Sequence, residues 1–355
     1  MHWENLALGL LLFFVFYQFR RARIGCYPPG PRGLPILGNL FQLDNANSWR
    51  TFAKWNDSYG PIIYLNIAGQ PMVILNSKKV AEDLLDRRGS NYIDRYRLIV
   101  MEKSTGDSNM AFMRSTERWH KMRRASEHAL GAKISSNYHH IQTSESILLA
   151  HGIMNQPHTW LSQIERFMNN FIDCIDKTAT PGNYVVDMLP FLKCFPRWMA
   201  KWKRDAEENY KIFTSKFEDM FLRIKNETVT GNEQRPSFCV TLTENQKQHR
   251  MSDRDCAWLA GVLYGAGHET VTILNLTSTT MAWFIFSMIQ FPQVQARAHE
   301  ELDRFVGRSR LPSFADIKHL PYIQALVKEV LRWRPAVPIG ISHVPTQEQF
   351  VFLVY

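Results

Sequence analysis

The sequence predicts a mainly α-helical fold with a small β-sheet near its start, in the α+β class. Three observations favour this class: apolar residues recur at helical spacing from Ser77 onward, one β-branched run lies near the start, and 45% of the 355 residues are hydrophobic. A chain of this size and composition can bury a large core. No part of it has the composition of a disordered or repetitive segment.

The first 24 residues predict a membrane anchor. Residues 6–19 form an apolar run that Arg20, Arg21 and Arg23 follow at once, whereas Glu4 but no lysine or arginine precedes it. Positive charge after such a run holds that side in the cytosol, and no small-residue cleavage site of a secretory signal follows. We therefore expect a single-pass anchor with a cytoplasmic body. A buried core helix is the alternative, because about 10–14 apolar residues also suit one.

Residues 25–41 predict a stiff hinge between the anchor and the body. Pro28, Pro29, Pro31 and Pro35 each fix a backbone dihedral angle, and the glycines among them permit tight turns. An ordinary proline-rich linker is the alternative, because composition alone does not separate the two.

Residues 42–355 predict the globular body. Residues 62–75 are β-branched and apolar and are broken by Gly69, Gln70 and Pro71, so they predict a β-hairpin. The helical pattern that follows has breaks rich in proline or glycine near residues 180–182, 231–236, 291–292, 307–312 and 335–338. No linker divides this body into independent domains.

The longest helical pattern spans residues 252–288. Gly261, Gly265 and Gly267 lie inside it, where each costs about 1 kcal/mol relative to alanine. Such glycines indicate either a close neighbour or a local distortion of the helix. Close packing between helices is the simplest explanation of them.

Polar residues follow these glycines. Ala266 and Thr270 share one helix face at i,i+4 spacing, and Glu269 is next to Thr270. A threonine hydroxyl can donate a hydrogen bond to a ligand, and a neighbouring carboxylate can relay protons. The segment is therefore a candidate site, although short runs of glycine, alanine and threonine are common.

A second motif lies on a helix that is predicted to begin at Pro321 and to end before the next proline. On a helical projection Glu329 falls on the same stripe as Tyr322 and Ala325, with Arg332 one turn further on. We expect the Glu329–Arg332 pair to be buried, where the loss of either partner leaves an uncompensated charge.

Charge and cysteine content limit the functional classes. The net charge is +9, but basic residues cluster only at residues 20–23 and 121–124, so we expect no nucleic-acid partner. The five cysteines form no C-x-x-C pair and no zinc-like cluster, and their odd number argues against a disulfide framework. A reducing compartment is expected.

Taken in order along nearly the whole chain, these motifs are similar to those of the cytochrome P450 family in its microsomal, fungal form. The apolar anchor, the arginines that follow it and the proline-rich hinge come first. The run Trp119-His120-Lys121-Met122-Arg123 then resembles the family's W-x-x-x-R helix, residues 266–270 resemble its oxygen-activation motif, and residues 329–332 its E-x-x-R motif.

The resemblance implies a cytochrome P450 fold in which residues 42–355 are the haem-oxygenase catalytic domain. It implies haem b as cofactor and the insertion of one oxygen atom from O2 into an apolar organic substrate, in secondary metabolism or xenobiotic oxidation. Electrons would come from NADPH through a reductase that docks on the basic face. The protein would lie in the endoplasmic-reticulum membrane. The sequence does not name the substrate, because variable loops shape such pockets.

The resemblance also implies a role for individual residues. Trp119, Arg123 and His343 would hold haem propionates through charge-assisted hydrogen bonds. Ala266 and Gly267 would lie against the haem face, while Glu269 and Thr270 would deliver protons to iron-bound dioxygen. The remaining site residues are the structural pair Glu329 and Arg332 and the substrate-lining residues Val337, Pro338 and Ile339.

The sequence departs from the family pattern in three places. It ends twelve residues after His343, without the glycine-rich cysteine loop or the arginine partner of the E-x-x-R pair. The thiolate ligand gives the chemistry its electron push, and no other cysteine has the glycine-rich setting, so no metal ligand is predicted. The stretch between Trp160 and Phe171 is short by one core helix. Val271 also stands where a second hydroxyl residue is usual.

We therefore expect a C-terminally truncated member of the family that is inactive as it stands. A non-catalytic pseudoenzyme or a fragment of the same family, unable to bind haem, remains an alternative. A membrane-tethered helical scaffold or nucleic-acid binder is a remote one, since no motif supports it.

Overall fold

The computed structural model describes residues 27–34, 37–43, 47–67, 69–131, 159–180, 182–231, 237–268, 276–346 and 352–354. These residues are mostly helical with three short strands, which confirms the predicted mainly α class with a small sheet. The chain folds as two compact units, Met1–Ile93 with Ile339–Tyr355, and Asp94–Pro338. The sequence indicated no such division, because the first unit combines the two ends of the chain and no linker marks it.

The sheet lies in the first unit. Strands β1 (Ile62–Ile67) and β2 (Gln70–Leu75) form the predicted antiparallel hairpin, and β3 (Phe352–Val354) pairs with β2 in parallel. Phe52 of helix α1 (Ser48–Tyr59) packs with buried residues of β1. A short helix α2 (Lys78–Ala81) follows the hairpin and continues as a π-helical turn, Glu82–Arg87.

The described part of the predicted hinge packs on β1. The Tyr27 ring stacks on the Tyr64 ring with centroids 4.0 Å apart, and the Tyr64 backbone N–H donates to the Pro29 carbonyl at 2.9 Å. A Cβ on Gly30 would collide with the Tyr64 carbonyl oxygen, so glycine is required for this close approach.

The second unit is helical. Its helices are α3 (Ile99–Thr105), α4 (Glu117–Leu130), α5 (Thr159–Ala179), α6 (Val185–Met188), α7 (Lys201–Val229), α8 (Phe238–His249), α9 (Asp253–His268), α10 (Leu276–Gln290), α11 (Pro292–Phe305) and α12 (Pro321–Trp333). Single 3₁₀ turns occur at Pro190–Cys194 and Phe314–His319.

Trp258 lies at the centre of this unit's main core. Its side chain is fully buried, its indole N–H donates to the Thr214 hydroxyl at 3.1 Å, and the ring makes an edge contact with Phe217 at 5.2 Å. The expected close neighbour of Gly261 is that same Phe217, whose ring atoms would lie 2.5–2.7 Å from a Cβ at residue 261. The glycine therefore lets α7 and α9 pack closely.

The predicted long helix of residues 252–288 is represented by α9 and α10. The Ser252 hydroxyl accepts a hydrogen bond from the Asp255 N–H at 3.1 Å, so Ser252 caps the N-terminus of α9. Residues 269–275, between the two helices, lie outside the described residues, so a continuous helix stays a prediction.

No helix within the described ranges combines the length and the apolar character that a membrane span requires. The predicted anchor, residues 1–24, falls outside those ranges.

Candidate functional site

Helix α4 positions the first predicted donor pair. Its N-cap is Thr116, whose hydroxyl accepts from the Trp119 backbone N–H at 3.3 Å, and Glu117 follows in the first turn, where an acidic residue suits the helix dipole. Trp119 and Arg123 are four residues apart and share one face. Trp119 packs partly buried against the main core, whereas Arg123 is exposed.

Both donors have partners within the chain. The Trp119 indole N–H donates to the Met110 carbonyl at 3.1 Å, and Nε of Arg123 donates to the Glu127 carboxylate at 2.8 Å. The Arg123 and Glu127 side chains are 54% and 60% exposed, so exchange of Glu127 for another carboxylate costs little. The donor set therefore fits a ligand that carries carboxylates, as haem does.

The second group of predicted residues lies at the end of α9. Ala266 and Gly267 are exposed in its last turn, and no described residue lies within 4 Å of the position that a Cβ on Gly267 would take. Among the described residues, none occupies the space beside Gly267. Glu269 and Thr270, the predicted proton-delivery residues, lie outside the described residues.

The expected burial of the Glu329–Arg332 pair is wrong. The two side chains form a bidentate pair, with Nε–Oε2 and Nη2–Oε1 distances of 2.7 and 2.6 Å, but Arg332 is 70% and Glu329 58% exposed. The buried positions of α12 are Leu326 and Val330. The inward stripe therefore runs through those residues, and Ala325, which the projection placed on it, is exposed.

The last predicted residues fall on both sides of the boundary between the units. Val337 and Pro338 are exposed at the end of the second unit. Ile339 packs against the cluster around Phe52 in the first unit. His343 is also in the first unit, where its Nδ1–H donates to the Tyr92 carbonyl at 2.7 Å.

The environments of the four described cysteines do not suit an iron ligand. Burial raises the pKa of the Cys256 thiol to about 12, and the nearby charges of Asp255 and Asp253 act in the same direction. Burial also raises the pKa of Cys174 and of Cys239. These thiols stay protonated at neutral pH, and an iron ligand must be a thiolate. Cys194 is exposed in the 3₁₀ turn, without the glycine-rich setting.

Sequence reasoning missed Arg118, which ties α4 to α9. Its Nε donates to Asp255 at 2.6 Å, and its other nitrogens donate to the Asp107 carbonyl at 2.9 Å and to the Ser108 hydroxyl at 2.8 Å. Burial alone would raise the pKa of Asp255. Hydrogen bonds from Ser252 and Arg118 stabilise the carboxylate more strongly, so the net pKa of Asp255 is lowered. In the sequence, the acidic first turn of α9 indicates a basic partner. It does not indicate which one, because 137 residues separate Arg118 from Asp255.

A protein-family comparison identifies this architecture. The family model described as Cytochrome P450 matches residues 28–157 and 142–352, two segments that overlap over residues 142–157. A cytochrome P450 monooxygenase of Armillaria gallica is 42% identical over 346 residues, which cover 90% of this chain and 65% of the relative. A second one from the same fungus is 38% identical and covers 97% of this chain and 70% of its own length.

A relative from Amanita muscaria is also called a cytochrome P450 monooxygenase; it is 34% identical over 98% of this chain and 65% of its own length. The chain thus spans about two thirds of the length of these relatives. Among solved structures, a zebrafish cytochrome P450 with progesterone aligns with a TM-score of 0.59 at 20% identity, over 86% of this chain and 78% of that one. That likeness concerns the fold.

Proposed function

Because the chain belongs to the cytochrome P450 family, we propose that it forms part of a haem-thiolate monooxygenase that inserts one oxygen atom from O2 into an apolar organic substrate. The observation that carries the proposal is the Trp119–Arg123 donor pair on α4, which fits a carboxylate ligand at a position shared with the family's W-x-x-x-R motif. Haem b, when bound, supplies the iron that activates dioxygen.

The roles of this chain's own residues follow from that proposal. Arg123 exchanges Glu127 for a propionate, and the Trp119 indole N–H exchanges the Met110 carbonyl for the same group. His343 provides another propionate donor. Ala266 and Gly267 lie against the haem face, and Glu269 and Thr270 move protons there. Val337, Pro338 and Ile339 border the substrate.

Electrons reach this site from NADPH through a separate reductase in our proposal. Exposed Arg124 on α4 supports it, because positive charge at the surface steers an acidic partner during encounter.

The endoplasmic-reticulum membrane is the proposed location. Besides the N-terminal apolar run, the segment after α6 supports it: Phe191 is 62%, Phe195 43% and Trp198 75% exposed. Five basic residues and no acidic one lie between residues 188 and 204. Aromatic rings beside basic side chains suit the interface of an anionic bilayer.

A non-catalytic member of the family is the second candidate. The protonated state of the Cys174, Cys239 and Cys256 thiols favours it, since none of them gives this chain a thiolate for iron. Haem titration of the purified chain separates the two candidates.

We expect haem to bind, and we expect Arg123→Gln to weaken binding about tenfold, which is the loss of one charge-assisted hydrogen bond. Arg124→Gln, one residue along and also exposed, is the matched control and should keep the parent affinity. With carbon monoxide under reducing conditions, the 355-residue chain should lack a thiolate-type Soret band. Equal affinities of the two variants would refute the donor assignment, and no uptake by the parent would favour the non-catalytic candidate.

A further inference from the structure

Two histidines meet where α4 and α8 end. His128 lies in the last turn of α4 and His249 is the last residue of α8, and their rings are 5.8 Å apart between centroids, edge to face at 67°. Nε2 of His249 is inaccessible to water and has no hydrogen-bond partner among the described residues. His128 itself is exposed. A buried ring nitrogen without a partner costs free energy, and it costs far more if the ring is charged.

The nearby charges on α4 do not favour a proton on His249. Burial lowers the pKa of His249, and the charges of His128 and Arg124 lower it further. The two acidic residues of α4 have cationic partners of their own: Glu117 pairs with Lys121 at 2.9 Å and Glu127 pairs with Arg123 at 2.8 Å.

On α9, which packs on α8, the two acidic residues Asp253 and Asp255 also have cationic partners, Lys225 and Arg118. Asp253 of α9 accepts from Lys225 of α7, which also donates to Gln246 of α8. On α8 and its C-cap the remaining charged groups are Glu244, Lys247 and Arg250. Glu244 is exposed and five residues from His249, so it lies on another side of the helix.

We propose that His128 and His249 form a pH-sensitive contact that holds the C-terminal half of α4 against α8 while His249 is neutral and loosens it when His249 takes a proton. The protonated ring is a cation beside Arg124, and no described residue offers an acceptor at Nε2. Since α4 also carries Trp119 and Arg123, acidification loosens the helix on which the donor pair sits.

The direction of the pH effect follows from the lowered pKa of His249. In the unfolded chain the imidazole titrates near its usual value of about 6.5. As the pH falls below that value, the unfolded state takes up the proton first, so folding stability decreases until the folded state is protonated as well. At neutral and higher pH the contact is intact.

An NMR titration of the histidine ring protons in the full chain tests the proposal. We expect His249 to titrate below about 6.5, the usual histidine value, and the protection factors of the amides of residues 125–130, which already correct for the pH dependence of the intrinsic exchange rate, to fall once it is protonated. Titration of His249 at or above that value overturns the proposal, and this measurement needs no variant.

Variants supply the second test. His249→Phe keeps a ring but cannot take a proton. Between about pH 8 and about pH 5.5, its melting temperature should therefore fall by less than that of the parent. His120→Gln changes an exposed histidine on the same helix and should follow the parent at every pH. A full parental loss in His249→Phe overturns the proposal. If His249→Phe fails to fold, His128→Gln takes its place: it removes a neighbouring charge and should raise the pH at which His249 titrates, and an unchanged titration overturns the proposal.

Discussion

At the scale of single residues, the Arg118 side chain on α4 makes several hydrogen bonds at once. Its side chain is 33% exposed and Asp255 19%, and three of its hydrogen bonds reach Asp255, Asp107 and Ser108. Arg118→Gln should destabilise the chain by about 2–3 kcal/mol, because charge-assisted hydrogen bonds in a half-buried setting are lost. Urea unfolding at neutral pH measures the change.

The control for this prediction is Arg308→Gln, whose partner Asp303 is exposed, and it should leave the urea midpoint unchanged. The pH dependence is a further check. Since the pKa of Asp255 is lowered in the fold, its contribution is present above about pH 4, the usual range of aspartate, and is lost as the pH falls through the folded pKa. A difference between parent and Arg118→Gln that stays constant down to low pH would contradict the assignment.

Arg332 leads to a different expectation. The sequence placed it in a buried pair, where its loss would be severe, but the structure exposes both side chains. Arg332→Ala should therefore leave the urea midpoint of this chain unchanged, since exposed ion pairs contribute little. A clear drop in the midpoint would show that the pair is shielded from water after all.

At the scale of secondary-structure elements, α9 offers two glycines in opposite surroundings. Gly261→Ala brings a Cβ against the Phe217 ring, and overpacking of this kind costs about 1–3 kcal/mol. Gly267→Ala places its Cβ where no described residue lies within 4 Å, so no overpacking against the described residues opposes the higher helix propensity of alanine, and the chain should gain about 0.5–1 kcal/mol. The melting temperatures of the two variants should shift in opposite directions. Shifts of the same sign would mean that Phe217 of α7 does not pack against Gly261 of α9 as described.

Elements with strong local signals could be predicted almost to the residue. The hairpin of residues 62–75 and helix α12 (Pro321–Trp333) are bounded by glycine and proline, and both were confirmed. The orientation of α12 was wrong because the projection anchored the buried stripe on Tyr322 and Ala325, whereas the helix turns Leu326 and Val330 inward. A helical period alone does not say which of two adjacent stripes packs when both contain apolar residues.

At the scale of the whole molecule, two features that the sequence did not predict join distant parts of the chain. β3 (Phe352–Val354) joins the sheet of the first unit, and Arg118 reaches Asp255 across the second. Neither the strand pairing nor the ion pair leaves a periodic pattern in the sequence. The donor pair Trp119 and Arg123 could be predicted from its motif, but their partners Met110 and Glu127 could not, because carbonyl oxygens and exposed carboxylates occur everywhere.

Membrane attachment is the whole-molecule property that the proposed location predicts most directly. Two segments contribute to it in our proposal, the N-terminal segment of residues 1–24 with its apolar run and the exposed rings of Phe191 and Trp198 among basic side chains. Deletion of residues 1–24 should therefore reduce but not abolish binding to vesicles that contain anionic lipid. In the deleted chain, Phe191→Ser with Trp198→Ser should weaken the remaining binding, because two large apolar surfaces no longer enter the interface.

Sedimentation with vesicles, at low and at high salt, measures both effects. Leu311→Ser with Phe314→Ser is the matched control, since these residues are 64% and 40% exposed but lie outside the aromatic and basic segment. It should leave binding of the deleted chain unchanged. Binding that survives the loss of Phe191 and Trp198 but disappears at high salt would show that charge alone holds the chain on the vesicle. No binding after removal of residues 1–24 would leave those residues as the single attachment.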